Sequence, residues 1–320
     1  MTRAARRRIA VAAGTVAALG LSAGPAVAQV PGVTTGGAAR ITSQGATLTG
    51  QVNPRGQATT YVFEYGTTTA YGARTSSASA GRGTAAVAAA APVTGLAPAT
   101  LYHFRLVAQN ASGVARGADR TFRTAAQPLA LALAATPNPV PFGAPVTLAG
   151  TLSGTGNARQ TVQVQQRPFP YVGGFAPVGN AVVTDARGRF AVALVSLALS
   201  TQYRAVVVGR AGLASPVVTL GVQAAVRAKA TRRRVRRGGR VRFSGTVRPS
   251  EVGRPLAIQK RRGTRWVTVS GMLVRAGRAD YGVFGKTIRI RRGGDYRIYV
   301  GAGSGATVPA VSRSIRIRTT

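Results

Sequence analysis

Cysteine is missing from all 320 residues, which excludes disulfide cross-links, thiolate nucleophiles and zinc sites built on sulfur. Histidine occurs once, as His103, and tryptophan once, as Trp266. Acidic residues number six against 43 lysines and arginines. Those acids, Glu64, Asp119, Asp185, Glu251, Asp280 and Asp295, are spread along the chain, whereas paired-carboxylate chemistry such as glycoside cleavage needs two held at a set separation. Asp185-Ala186-Arg187-Gly188 reads as a hairpin turn. His103 falls out of phase with the apolar residues around it, so it reads as a strand surface residue without the partners of a triad or a metal site. The expectation is a chain that is not an enzyme, with no catalytic residue, no cofactor, no metal ligand and no small-molecule substrate. Lysine is scarce too, at Lys229, Lys260 and Lys286 only, so the basic charge is almost wholly arginine.

Long apolar runs are also few. One near the start, Ile9 to Leu21, follows a basic group of Arg3, Arg6, Arg7 and Arg8, and Ala26-Val27-Ala28 supplies a small-residue cleavage pattern. Residues 1–28 therefore read as a signal peptide for general secretion, since no bulky aromatic follows the arginine pair as a twin-arginine signal would have it. The run is short and rich in Ala and Gly, whereas spanning a bilayer takes about 20 apolar residues. No later stretch is a candidate, so no transmembrane segment is expected in the mature chain. The expected location is secreted, extracellular or associated with the cell wall, and export without cysteine suits a bacterium. In that setting Asn110-Ala111-Ser112 is a turn rather than a glycosylation site. Residues 29–37, rich in Gly, Thr and Pro, are expected as a flexible tail.

From Ala39 onward the period is two. Leu48, Gly50 and Val52 alternate with Thr47, Thr49 and Gln51, Asn53 to Gly56 makes a turn, and Tyr61, Phe63 and Tyr65 share one face of the next strand. Thr84 to Pro92 is rich in Ala but short and bounded by Gly83 and Pro92, so it reads as a strand rather than a helix. Gly95 to Gly113 is the clearest stretch: Tyr102, Phe104, Leu106 and Ala108 alternate with His103, Arg105, Val107 and Gln109. Tyr102, six residues after Leu96, fits a tyrosine corner, with the ring buried and the hydroxyl bonded to upstream backbone. With VNPRGQATTYVFEYG before it and DRTFRT after it, this region resembles a bacterial fibronectin type III domain over about residues 38–125, although the Trp usual in the second strand is absent. The resemblance implies a seven-stranded sandwich used as a spacer or adhesive module.

An internal repeat follows. Gly143 to Leu152 aligns with Gly238 to Val247, Val162 to Arg167 with Leu256 to Arg261, and Gln202-Tyr203-Arg204 with Asp295-Tyr296-Arg297, all in the same order. Both copies end in an alternating strand, from Val217 and from Ser314. They resemble the tandem Ig-like modules of actinobacterial surface proteins. The fold class expected is all-β, three tandem β-sandwiches, with domains at 38–125, 128–224 and 225–320. Gly301 to Gly305 reads as a hairpin loop, since no helix follows for a phosphate loop to open. Trp266 aligns with Phe175 and is expected in the core, while Phe169 and Tyr171, in a Pro/Gly-rich loop, are the aromatic residues expected at the surface of the second domain.

The charge is uneven. Residues 126–225 hold 6 basic and 1 acidic residue, whereas residues 226–320 hold 25 and 3. A genome rich in Arg codons would load both domains alike, so the concentration points to a task. Strand period places Arg240 and Arg242, Arg289 and Arg291, and Arg316 and Arg318 outward in rows, and Arg232, Arg233, Arg234, Arg236 and Arg237 are expected on a mobile basic arm ahead of the third domain. Guanidinium forks match phosphate or carboxylate oxygens in pairs. The expected partner is an anionic cell-wall polymer or other polyanion, and the expected role is a non-catalytic envelope binding and spacer protein. The alternatives are a non-specific nucleic-acid binder and an accessory module of an extracellular polysaccharide-degrading system.

Overall fold

A computed structural model describes residues 29–278 and 280–320; the expected signal peptide, residues 1–28, lies outside them. The described residues contain strands and turns and no helix. The contacts divide the chain into two compact units, Met1–Ala125 and Ala126–Thr320.

The first unit is one β-sandwich. A three-stranded sheet joins Gly32–Ala39, Gly45–Asn53 and Val87–Thr94, the Ala-rich stretch being a strand as expected. The facing six-stranded sheet is centred on Thr59–Gly66 and Leu101–Asn110. Leu48, Val52, Phe63, Phe104 and Leu106 are fully buried between the two sheets. The tyrosine corner is present: the Ala97 N–H donates to the Tyr102 hydroxyl at 3.0 Å, the Tyr102 ring stacks on Phe122, and Leu96 is buried beside it. Ser112 N–H donates to Asn110 Oδ1, closing the turn read from that tripeptide.

The flexible tail is not there. Gly32–Ala39 pairs antiparallel with Gly45–Asn53 through a bulge between Thr35 and Ala38. The bulge carries Thr35 into the sandwich, where its Oγ1 accepts the Leu106 N–H at 3.1 Å, a bond from one sheet to the other. A composition of Gly and Thr hid this strand because its anchor is a buried hydroxyl rather than a row of apolar residues.

The second unit holds two further sandwiches, each with its own core. In the second, Ala130–Thr136, Val146–Ser153 and Arg189–Leu194 face a five-stranded sheet built on Thr161–Pro168 and Thr201–Val207. In the third, a four-stranded sheet of Ala225–Ala230, Arg240–Arg248, Tyr281–Arg289 and Arg275–Arg278 faces a six-stranded sheet built on Pro255–Arg262 and Gly294–Val300. The repeat aligns structurally. Val146–Ser153 and Arg240–Arg248 take the same central place, and Val218–Leu220 pairs with Thr201–Val207 as Ile315–Thr319 pairs with Gly294–Val300.

The expected mobile arm is part of this plan. Arg234–Val235 pairs parallel with Ile315–Thr319, as Val140–Pro141 pairs parallel with Val222–Gln223 in the second sandwich. Val140 is buried and Val235 packs on the third core from the equivalent place. The domain's first strand, Ala225–Ala230, comes before these arginines, not after them.

Gly301 to Gly305 lies in the loop between Gly294–Val300 and Ala310–Val311, which pair antiparallel. Just beyond it, Ala306 O accepts the Ser200 N–H at 2.7 Å and Val308 N–H donates to Val222 O at 2.8 Å, so this loop joins the third sandwich to the second. Arg254, 3% exposed, holds the loop from the other side. Its guanidinium donates to Gly301 O, Val308 O, Thr307 Oγ1 and the Glu251 carboxylate. Phe169 is half-buried under this loop near Gly305, with Tyr171 set edge-on to it. The aromatic surface patch expected there is therefore largely committed to packing.

Candidate functional site

All eleven arginines expected to contact a polyanion are exposed, but they do not form one face. Arg240 and Arg242 stand on the outer side of the four-stranded sheet with Arg289, which is the cross-strand partner of Arg240. Arg227 and Lys229 on the neighbouring strand are exposed too. Arg316 and Arg318 belong to the opposite sheet, where Arg234 is the partner of Arg318. Arg316 is engaged by Asp295 at 2.9 Å, so it offers less free charge than the row suggested. Arg233 contributes its carbonyl to the Arg318 N–H, and Arg232 and Arg236 lie at exposed positions on either side of residues 233–235.

The densest charge is at one end of the third sandwich. There a cleft of about 670 Å³ is lined by Arg237, Lys260, Arg261, Arg262, Arg289, Arg291 and Arg292 over Val269, Ile288, Gly293 and Tyr296. Strand geometry brings these together. Pro255–Arg262 runs antiparallel to Gly294–Val300 with Lys260 opposite Tyr296, so the end of one strand meets the turn that precedes the other. The Arg236 to Gly239 turn is tied to the same place, because Gly238 N–H donates to Ile290 O and Ile290 N–H donates to Gly239 O, both at 2.8 Å. Arg289 and Arg291 flank Ile290 and so flank that tie.

Lys260 is the most constrained of the seven. Its Nζ donates to Arg292 O at 2.7 Å and lies 5.5 Å from the centre of the Tyr296 ring. Burial, and then the charges of Arg262 and Arg292, hold its ammonium below the usual lysine range. Burial raises the Tyr296 phenol. No acid lines the cleft. The acids of this sandwich are engaged elsewhere: Asp280 with Arg248 at 2.8 Å, Asp295 with Arg316, and Glu251 with Arg254 at 2.7 Å.

Of the lining, sequence reasoning named Arg237, Arg289 and Arg291 as contact residues, the first on a mobile arm and the other two in a strand row, and it missed Lys260, Arg261, Arg262 and Arg292. The signal was in view as two basic groups each running into a glycine turn, Lys260-Arg261-Arg262-Gly263 and Arg291-Arg292-Gly293. What was lacking was the knowledge that the two turns lie at the same end.

Trp266 is not a core residue. It is half-buried on the outer side of its sheet, outside the apolar cluster, with the Arg297 guanidinium 4.4 Å from its ring centre. Phe175 holds the matching place under Arg204, also at 4.4 Å. The two residues do align, and Trp266, expected in the core, stands on the outer side beneath an arginine as Phe175 does. In each copy the arginine also donates Nε–H to a glutamine directly across the strand pair, Gln165 for Arg204 and Gln259 for Arg297, both at 2.8 Å. The first sandwich repeats the unit with an acid. Arg105 donates to its cross-strand partner Glu64 at 2.7 Å and lies under Tyr71 at 4.6 Å.

His103 has a partner that sequence reasoning did not find: Nδ1 is 2.8 Å from Asp119 Oδ2, and the Tyr71 hydroxyl donates to Asp119 Oδ1 at 3.0 Å. The pair flanks the Arg105 unit on the sheet surface. Among the described residues no group of three or more His, Asp or Glu side chains stands close enough to hold a metal ion. Asp185 forms its expected turn, accepting the Arg187 and Arg189 N–H groups at 2.8 Å.

The sheets and cores define an all-β chain of β-sandwiches in tandem. No protein-family model matches the chain, and no curated protein matches it. Among solved structures, the FN1–FN3 domains of chicken CNTN1 are 17% identical with a TM-score of 0.31, covering 91% of this chain and 99% of that one. A likeness of that size carries nothing about ligand or activity. Among the described residues no helix is long and apolar enough to cross a membrane.

Proposed function

We propose that this is an exported, non-catalytic binding and spacer protein of the bacterial cell envelope, with domains at 38–125, 128–224 and 225–320, the first extended back to its opening strand at Gly32, in which the third sandwich contacts an anionic wall polymer. One observation carries the reading. The third sandwich gathers 25 basic residues against 3 acidic ones, its arginines are exposed on both sheets, and seven basic side chains converge on one cleft free of acids. Such a surface repels itself and is relieved by counter-anions. The first two sandwiches, with far fewer charges and complete cores of their own, set the distance between the bound polymer and whatever lies beyond.

The test is salt dependence. Binding of the full chain to purified anionic wall polymer should weaken by on the order of 10³-fold between 50 and 200 mM salt if about six anionic groups are neutralised, by analogy with duplex DNA, and less steeply for a flexible polymer. Residues 29–125, which hold their own core, serve as the comparison and should bind far more weakly. Equal binding at 50 and 500 mM salt would refute the electrostatic contact.

A further inference from the structure

We infer that the cleft at the end of the third sandwich is a defined seat for the phosphate groups of a polymer that carries no stacked bases. The inference rests on the polyanion reading above and narrows it to one place and one chemistry. Arg237 comes from the turn after Arg234–Val235, Lys260 to Arg262 from the end of Pro255–Arg262, and Arg289 to Arg292 from the end of Tyr281–Arg289 and the turn beyond it. Donors approaching from three sides suit a tetrahedral acceptor with oxygens in several directions. A planar carboxylate takes its best fork in one plane.

The cleft also lacks its own counter-charge, since each acid of this sandwich is bound to an arginine elsewhere. Lys260 shows the consequence, because its burial and then its neighbours Arg262 and Arg292 lower its pKa, a shift that a bound anion would oppose. The floor argues against a nucleic acid. Tyr296, the aromatic residue of the lining, is 3% exposed with Lys260 against its ring, so it offers no open face on which a base could stack. A phosphodiester chain of small polyols fits where a stacked strand does not.

Two triple variants of the full chain test this with equal loss of charge. Arg261→Ser with Arg262→Ser and Arg292→Ser removes three of the seven basic side chains of the cleft. Arg227→Ser with Arg240→Ser and Arg242→Ser strips the outer face of the four-stranded sheet. Against poly(glycerol phosphate) at fixed salt, the cleft variant should lose roughly 30-fold in affinity and the sheet variant less than about 5-fold, with unfolding curves unchanged. Equal losses would overturn the seat while leaving a diffuse polyanion contact standing, and failure of the unaltered chain to bind would sink both readings.

Two further arms fix the chemistry. The cleft variant should lose less toward polyglutamate than toward poly(glycerol phosphate), and the reverse would overturn the phosphate assignment. Tighter binding of single-stranded DNA, equally weakened by the cleft variant, would overturn the base-free assignment. Calorimetry in two alkaline buffers of different ionisation enthalpy should show proton uptake on binding that is lost in Lys260→Arg; uptake that persists would place the anion elsewhere.

Discussion

The second and third sandwiches are one strand plan with two different surfaces. Along their central strands Val146, Leu148 and Leu152 match Val241, Phe243 and Val247, all buried, while Thr147, Ala149 and Ser153 match Arg242, Ser244 and Arg248 on the outer side. Gly150 and Gly245 match as well. Each lies opposite a Phe on the next strand, Phe190 or Phe284, whose ring covers the space a Cβ would need. Only alternate residues of a strand are committed to the core. The other half can therefore turn from Thr and Ala to Arg without altering register, core or even the Gln–Arg–aromatic unit on the outer face. Charge in the third sandwich is an addition to a finished fold, and its cost is self-repulsion rather than lost packing.

The sharpest break in the comparison is Arg254, the buried charge of the third sandwich, for which the second has Gln160 two residues before the matching strand position, Val162. Arg254→Ala should leave the Glu251 carboxylate without its counter-charge, with the Thr307 hydroxyl still donating to it, remove the side-chain donor of two loop carbonyls, and destabilise the third sandwich by about 3 kcal/mol or more. Gln160→Ala should stay within about 0.5 kcal/mol. Denaturant unfolding of the two variants reads the difference directly.

Next in size is the segment that replaces Pro137 to Phe142 of the second sandwich. Changing Arg232, Arg233, Arg234, Arg236 and Arg237 to Ser should weaken polyanion binding by on the order of 10-fold at low salt, chiefly through the cleft residue Arg237, and flatten its salt slope, by up to about 0.9 per lost contact. The fold should survive, since Val235 is the residue of this segment that packs on the core. Unfolding of this variant would show that the arginines themselves hold the segment in place.

The first sandwich tests the comparison from outside. Tyr102→Phe should cost it roughly 1 to 3 kcal/mol by orphaning the Ala97 N–H, and unchanged unfolding of residues 29–125 would remove the corner from the account. The smallest effect is the pH dependence of its Arg unit, where Glu64 stands in place of Gln165 and Gln259. Burial works against the Glu64 carboxylate, but Arg105 and then Arg74 overcome it and hold its pKa below the ordinary 4.5. A depressed carboxyl stabilises the fold above that value and loses the contribution as pH falls through the folded value. Stability of residues 29–125 should therefore decline as the pH drops below 4.5, and Glu64→Gln should shrink that decline.

Much of this was legible without coordinates. Strand period alone located Tyr102, Phe104, Leu106 and Ala108 inside and Arg240, Arg242, Arg316 and Arg318 outside, because alternation is a local property of an extended chain. The repeat located the matching strands of the second unit. The segment Thr231 to Arg240 misled for a physical reason: a two-residue strand has one inward side chain, Val235, and one apolar residue among arginines makes no period. The same 95-residue repeat, continued back to Thr136 and Thr231, carries the parallel pairing that composition concealed.

By itself, then, the sequence determined the all-β class, the inward and outward sides of the long strands, the tyrosine corner and the concentration of arginine in the last copy. The tertiary structure decided what depends on residues far apart in the chain. It brought Lys260 to Arg262 beside Arg291 and Arg292, gave Asp119 to His103 and Glu64 to Arg105, turned Trp266 outward beneath Arg297, and welded Gly32–Ala39 into the first sandwich through Thr35. Alternation fixes which side of a sheet a residue takes, but which strand ends meet is set by sheet order and register, and those arise only when two sheets close on a shared core.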